Sequence, residues 1–64
     1  MNMTIFDYVL YYRVQMSIPL IREYDSITEV ASMVGFSSAS YFTQVFKRYM
    51  GFTPIQFKKG TADL

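Results

Sequence analysis

The sequence predicts a small all-α domain, and three observations carry this prediction. Of its 64 residues, 52% are hydrophobic and 19% are aromatic, which is the composition of a folded chain. Apolar residues recur at helical spacing, and no segment alternates with the period of two that a strand requires. Helix-start residues and glycines divide the chain into four helical segments. A chain this short forms at most one domain, so we assign residues 1–64 to a single bundle of about four helices.

The first helix is predicted over residues 4–24, with Thr4 as its N-cap and Asp7 three residues later. One broad apolar stripe can be drawn along it through Tyr8, Val9, Tyr12, Met16, Leu20 and Ile21. Pro19 lies inside this helix, where it removes a backbone hydrogen bond and costs about 3 kcal/mol. We therefore expect a kink, or two shorter helices that meet near Ser17.

The second helix opens with a predicted capping box, in which Ser26 is the N-cap and Glu29 reaches back to it. It ends at Gly35, the residue type that favours the left-handed backbone found after helices. After a short turn, Ser37 is the expected N-cap of the third helix. Gly51 closes the third helix.

The third helix has two different faces. Its predicted buried face follows the spacing i, i+1, i+4, i+5, i+8 and i+9 and consists of Tyr41, Phe42, Val45, Phe46, Tyr49 and Met50. Its outer face is polar, with Ser40, Thr43, Gln44, Lys47 and, at the edge, Arg48. A fourth, short helix is predicted over residues 53–59.

Residues 26–50 thus contain two helices joined by a short turn with a glycine, and the second helix is longer and polar outside. This is the helix-turn-helix arrangement, so the predicted architecture is a helix-turn-helix (homeodomain-like) bundle. In that geometry the second helix, here about residues 38–50, enters the major groove of duplex DNA. Base edges are contacted by hydroxyl and amide side chains, whereas a carboxylate there would be repelled by the phosphates.

The charge distribution fits a DNA partner better than the net charge of +1 does. Residues 1–29 hold two basic and four acidic side chains, whereas residues 30–62 hold four basic side chains and no acidic one. The basic residues are Lys47, Arg48, Lys58 and Lys59, all at or after the end of the predicted recognition helix. On composition and pattern alone, DNA binding and a protein-interaction module are equally supported.

Composition excludes most other classes of function. With no Cys and no His, the chain cannot form disulfides, Cys or His zinc sites or imidazole-based catalysis, and no nucleophile or acid/base pair is evident. We therefore expect no enzymatic activity, no cofactor and no metal site. The first residues do not resemble a signal peptide and no segment is apolar enough to span a membrane, so a cytoplasmic location without membrane contact is expected.

Residues 26–59, SITEVASMVGFSSASYFTQVFKRYMGFTPIQFKK, resemble the second helix-turn-helix of AraC/XylS-type transcription regulators. The positions that match in register are Ile27, Glu29, Val30, Ala31, Gly35, Phe36, Ser40, Tyr41, Phe42, Phe46, Lys47, Arg48, Gly51, Pro54 and Phe57. Upstream, YVLYYRVQMSIPLI is similar to the long helix that connects the two helix-turn-helix units of this family. The resemblance therefore identifies the chain as the C-terminal half of such a DNA-binding domain.

The sequence departs from the family pattern in three respects. It begins at the connecting helix, so the first helix-turn-helix unit is expected to be missing. Ser17 stands where the family prefers Ala, and Pro19 interrupts the connecting helix. Gln44 stands where many members carry Arg, and Phe57-Lys58 replaces the usual Tyr-Arg.

The resemblance implies that Ala39, Ser40 and Gln44 contact bases, and the helical spacing independently exposes Ser40 and Gln44. The candidate phosphate contacts are Ser37, Ser38, Thr43, Lys47 and Arg48. Lys58 and Lys59 are either further phosphate contacts or solvated side chains. Arg13 is expected to pair with a carboxylate such as that of Glu29.

The predicted function is sequence-specific binding of double-stranded DNA in transcription regulation, with RNA polymerase and a second copy of the chain as further candidate partners. The alternative is a protein-interaction or self-associating fragment that does not bind DNA by itself. This alternative depends on the first helix, because so small a core cannot bury all of Phe6, Tyr11 and Tyr12.

Overall fold

The computed structural model describes residues 4–60 and confirms the all-α prediction. Its four helices are α1 (Ile5–Glu23), α2 (Ile27–Met33), α3 (Ala39–Met50) and α4 (Pro54–Lys59), and residues 4–60 include no strand. Helix α1 packs against each of the other three, while α3 also packs against α2 and α4. Within residues 4–60, every helix is too short or too polar to span a lipid bilayer.

Helices α1 and α4 begin with complete capping boxes. The Thr4 side chain accepts a hydrogen bond from the backbone N–H of Asp7, and the Asp7 carboxylate accepts one from the Thr4 backbone. Thr53 and Gln56 form the same reciprocal pair at the start of α4. These boxes satisfy backbone donors that have no partner within the helix, and so they set where each helix starts.

Helices α2 and α3 each begin at a serine. The Ser26 hydroxyl accepts from the backbone N–H of Glu29 at 3.2 Å, so the Ser26 half of the predicted box is present. The N-cap of α3 is Ser38, which accepts from the N–H of Tyr41 at 3.1 Å, and the prediction of Ser37 was wrong. Two adjacent serines have the same capping chemistry, and the path of the turn determines which one caps.

The buried face of α1 differs from the predicted stripe. The side chains that α1 buries are Leu10, Val14, Ser17 and Ile21, whereas Tyr8, Tyr12 and Met16 are 58%, 54% and 48% exposed. Because α1 is apolar on more than one side, its sequence alone did not indicate which side meets the other helices. Helix α1 also continues through Pro19 as one element rather than as two shorter helices.

Five phenylalanines tie α3 and α4 to the turn between α2 and α3. Phe42 and Phe46 are fully buried, with ring centroids 5.6 Å apart. Phe36, from the turn, lies 5.1 Å from Phe42, and Phe52 and Phe57 stack at 6.0 Å beside Phe46. These contacts determine how α3 is rotated about its axis.

The rest of the predicted buried face of α3 is less enclosed. Val45 is buried, while Tyr49 and Met50 are half-buried. Tyr41 is 37% exposed and packs against Phe36 in a T-shaped arrangement, with ring centroids 5.6 Å apart. The face is narrower than predicted because Tyr41 lies at its margin.

Candidate nucleic-acid interface

The outer face of α3 is polar and, apart from the half-buried Thr43, exposed. Because Phe42 and Phe46 point into the core, the side chains of Ser40, Gln44 and Lys47 are exposed at the spacing i, i+4 and i+7. No acidic residue occurs in α3, and its last turn carries Lys47 and Arg48. From the N-terminal to the C-terminal end of α3, this face carries hydroxyl and amide groups and then cationic groups.

The proposed base-contacting residues lie together on one shallow groove. The groove is formed by the start of α2, the first half of α3 and the start of α4, and it is lined by Ile27, Thr28, Ala39, Ser40, Thr43, Gln44 and Ile55. Within it Ser40 and Gln44 are exposed, whereas Ala39 and Thr43 are half-buried. All three base-contacting candidates and one phosphate candidate therefore share a single surface.

The remaining phosphate candidates lie on either side of this groove along α3. Ser37 and Ser38 are exposed immediately before the helix, although the Ser38 oxygen already accepts the capping hydrogen bond. Lys47 and Arg48 are exposed in the last turn. The two serine candidates therefore lie before the first turn of α3, and the two cationic candidates lie in its last turn.

Lys58 is held in an intramolecular contact. Its ammonium donates to the carbonyl oxygens of Ile21 and Tyr24 at 2.9 and 2.8 Å, and it lies 4.0 Å from the Asp25 carboxylate. These carbonyls belong to the C-terminal end of α1, where a cation also interacts favourably with the helix dipole. The neighbouring Lys59 is exposed.

Arg13 contacts the helix-turn-helix turn, and the expected pairing with Glu29 was wrong. Its guanidinium donates to the carbonyl oxygen of Gly35 at 3.0 Å. Gly35 has a φ of +95°, so its carbonyl is presented by a backbone that other residues rarely adopt. Sequence reasoning missed this contact because a backbone acceptor 22 residues away leaves no local signal.

A second, mostly apolar groove lies between α1 and the end of α2. It is lined by Val9, Tyr12, Arg13, Met16, Leu20, Met33, Val34 and Gly35. Phe6, Tyr11 and Tyr12 are all exposed, as the size of the core predicted. This surface differs from the α3 face, since it is apolar and carries only one charged side chain.

Comparison with known proteins supports the helix-turn-helix assignment. A family model described as a helix-turn-helix domain matches residues 1–60. The chain is 43% identical over 60 residues to the uncharacterized HTH-type transcriptional regulator YdeC of Bacillus subtilis (strain 168). The aligned residues make up 92% of this chain and 21% of YdeC. No solved structure matches the present chain.

Two relatives from Escherichia coli match shorter parts of the chain. The porin thermoregulatory protein EnvY of strain K12 is 46% identical over 46 residues, which is 72% of this chain and 17% of that protein. The HTH-type transcriptional activator FapR is 46% identical over 44 residues, which is 69% of this chain and 17% of that protein. The chain spans about a fifth of the length of the curated relatives it matches.

Proposed function

The chain belongs to the AraC/XylS family of helix-turn-helix transcription regulators, and from this membership we propose that it binds duplex DNA through α3. The family consists of DNA-binding regulators, so a non-enzymatic role and a cytoplasmic location are part of the same proposal. The alternative, an interaction fragment without DNA binding, is not favoured by the relatives.

One observation carries the proposal: the outer face of α3 is mostly exposed, is free of acidic residues and points away from the core. Phe42 and Phe46 hold the helix to the core, so the opposite side chains project outward without rearrangement. A helix of this kind places its N-terminal turns against base edges in the major groove. The groove that contains Ser40 and Gln44 lies at that N-terminal half.

We assign base contacts to Ala39, Ser40 and Gln44. In this proposal the Gln44 amide forms the paired hydrogen bonds that glutamine makes with adenine N6 and N7, and the Ser40 hydroxyl donates or accepts. Ala39 offers only its methyl group.

Phosphate contacts are assigned to Ser37, Ser38, Lys47 and Arg48, which flank the groove, and to Thr43, which lines it. Lys47 and Arg48 supply the cationic charge. Because Lys58 is hydrogen-bonded to α1, we do not count it among them, and we assign the exposed Lys59 to the solvated side chains. Two neutralised phosphates give a slope of log affinity against log salt of about −2. Non-specific affinity is then expected at about 10⁻⁴ to 10⁻⁶ M.

Binding to RNA polymerase and binding to a second copy of the chain both remain predictions. The surface available for either is the apolar groove on α1, where Tyr12, Met16 and Met33 are about half exposed. Exposed apolar patches of this kind often mark sites of protein contact. Pairing of two modules would also raise specificity, because a single short helix contacts few bases.

The proposal is tested by selecting from a randomised duplex library with the wild type and with Gln44→Ala. We expect the wild type to select a short motif, and Gln44→Ala to lose preference at one base pair while still binding. Ser32→Ala changes an exposed residue of α2 that does not line the groove, and it serves as the control that leaves the motif intact. If the wild type selects no motif, or if Gln44→Ala selects the same motif, α3 is not the recognition helix.

A further inference from the structure

We propose that Ile55, which lies on α4 outside the two helices of the helix-turn-helix, determines specificity by contacting the C5-methyl group of a thymine. Together with Gln44 across the groove, it would select an A·T base pair. This inference rests on the proposed function, because it requires that α3 lies in the major groove of DNA.

The chemistry of the groove suits base edges better than phosphates, and the Thr43 hydroxyl is the one phosphate candidate among its lining residues. None of the seven side chains that line it is charged, and five carry methyl groups, namely Ile27, Thr28, Ala39, Thr43 and Ile55. A phosphate would find no cation there, whereas a thymine methyl group would find apolar neighbours. The polar groups in the groove are the hydroxyls of Ser40 and the threonines and the Gln44 amide.

Helix α4 holds Ile55 in this position. Pro54 before it is buried, and Phe57 after it packs against Phe46 and Phe52. The Thr53–Gln56 capping box fixes the first turn of α4. Ile55 itself is 54% exposed and faces the groove, so it contributes little to the core and leaves apolar surface where DNA would lie.

An A·T pair matches both sides of the groove. In the major groove, adenine offers the N7 acceptor and N6 donor that a glutamine amide pairs with, and thymine offers a methyl group. A G·C pair has no methyl group and presents a different order of donors and acceptors. Gln44 and Ile55 line the same groove from two different helices, so their combination favours adenine on one strand and thymine on the other.

The test uses deoxyuridine, which lacks only the C5-methyl group of thymine. Each thymine of the duplex selected by the wild type is replaced in turn, and the Kd of the full 64-residue chain is measured for wild type, Ile55→Ala and Ile55→Val. One replacement should weaken wild-type binding about fourfold, the equivalent of about 0.8 kcal/mol for one buried methyl group. Ile55→Ala should bind the duplexes with thymine and with deoxyuridine at that position with equal affinity. Ile55→Val should lose an amount of affinity between those of the wild type and Ile55→Ala.

Ile5→Ala is the matched control, because Ile5 is 85% exposed at the start of α1 and does not line the groove. It should retain the wild-type penalty for deoxyuridine. This inference is wrong, and the proposed function stands, if Ile55→Ala keeps the loss of affinity at every thymine that is sensitive in the wild type. The same conclusion follows if the wild type binds a defined motif but no thymine in it is sensitive to deoxyuridine. If the wild type binds no duplex, the proposed function fails and the inference fails with it.

Discussion

The guanidinium of Arg13 donates a hydrogen bond to the carbonyl oxygen of Gly35 at 3.0 Å. The contact joins the middle of α1 to the turn between α2 and α3. A β-carbon added at residue 35 would lie 3.2 Å from Arg13 Cζ, and the φ of +95° there is unfavourable for any side chain. Arg13 can therefore approach the turn this closely because residue 35 is glycine.

Replacing Gly35 with alanine is predicted to destabilise the domain. The substitution forces a side chain into the left-handed region and against Arg13, and the backbone strain alone costs about 1–3 kcal/mol. The free energy of unfolding is measured by urea denaturation followed by circular dichroism.

Gly51→Ala is the control for backbone strain, since Gly51 has a φ of +88° and an added β-carbon would meet no atom within 4 Å. Gly35→Ala should cost more than Gly51→Ala, and the double variant Gly35→Ala with Arg13→Ala should cost less than the sum of its two changes. If Gly35→Ala and Gly51→Ala cost the same, and the costs of Gly35→Ala and Arg13→Ala add in the double variant, Arg13 does not crowd residue 35.

Lys58→Met is predicted to lower stability without changing the salt dependence of DNA binding. The variant removes both hydrogen bonds to the end of α1, and with Lys58 partly exposed the expected cost is about 1–2 kcal/mol. Lys59→Met, at an exposed neighbouring residue, should change stability by less than about 0.5 kcal/mol. A stable Lys58→Met variant with a shallower salt slope would instead identify Lys58 as a phosphate contact.

Ser17→Ala is predicted to stabilise the domain. Ser17 is fully buried in α1, where its hydroxyl donates only to the carbonyl oxygen of Val14 at 2.6 Å. Alanine is the better helix former by about 0.5 kcal/mol, and a gain of that size raises the Tm of so small a domain by about 2–4 °C. Ser17→Val should instead destabilise it, because extra methyl groups overpack the site. A marked loss of stability in Ser17→Ala would show that the hydroxyl contact is strongly stabilising.

What could be predicted from the sequence is what is encoded locally. Thr4, Ser26 and Thr53 cap helices through partners three residues away, so their side-chain chemistry and spacing were sufficient. The rotation of α3 followed from its phenylalanines, because its apolar and polar residues are separated clearly on the helix surface.

What could not be predicted depends on contacts between distant residues. Arg13 meets Gly35 across 22 residues, and Lys58 meets Ile21 across 37; neither contact has a pattern in the sequence. The same holds for the buried side of α1, which is selected by packing against other helices. Ile55 joins the groove of α3 only through the placement of α4, so its position beside Gln44 required the structure.

The salt dependence of duplex binding tests the central claim, that α3 lies against DNA, most directly. Affinity for the selected duplex is measured from low to moderate salt for wild type, Lys47→Ala and Lys59→Ala. We predict that log affinity falls against log salt with a slope of about −2 in the wild type. In Lys47→Ala the slope should become about one unit shallower, with binding uniformly weaker across sequences. In Lys59→Ala the slope should not change. A slope that Lys47→Ala leaves unchanged, or the absence of any duplex binding by the wild type, would contradict the account.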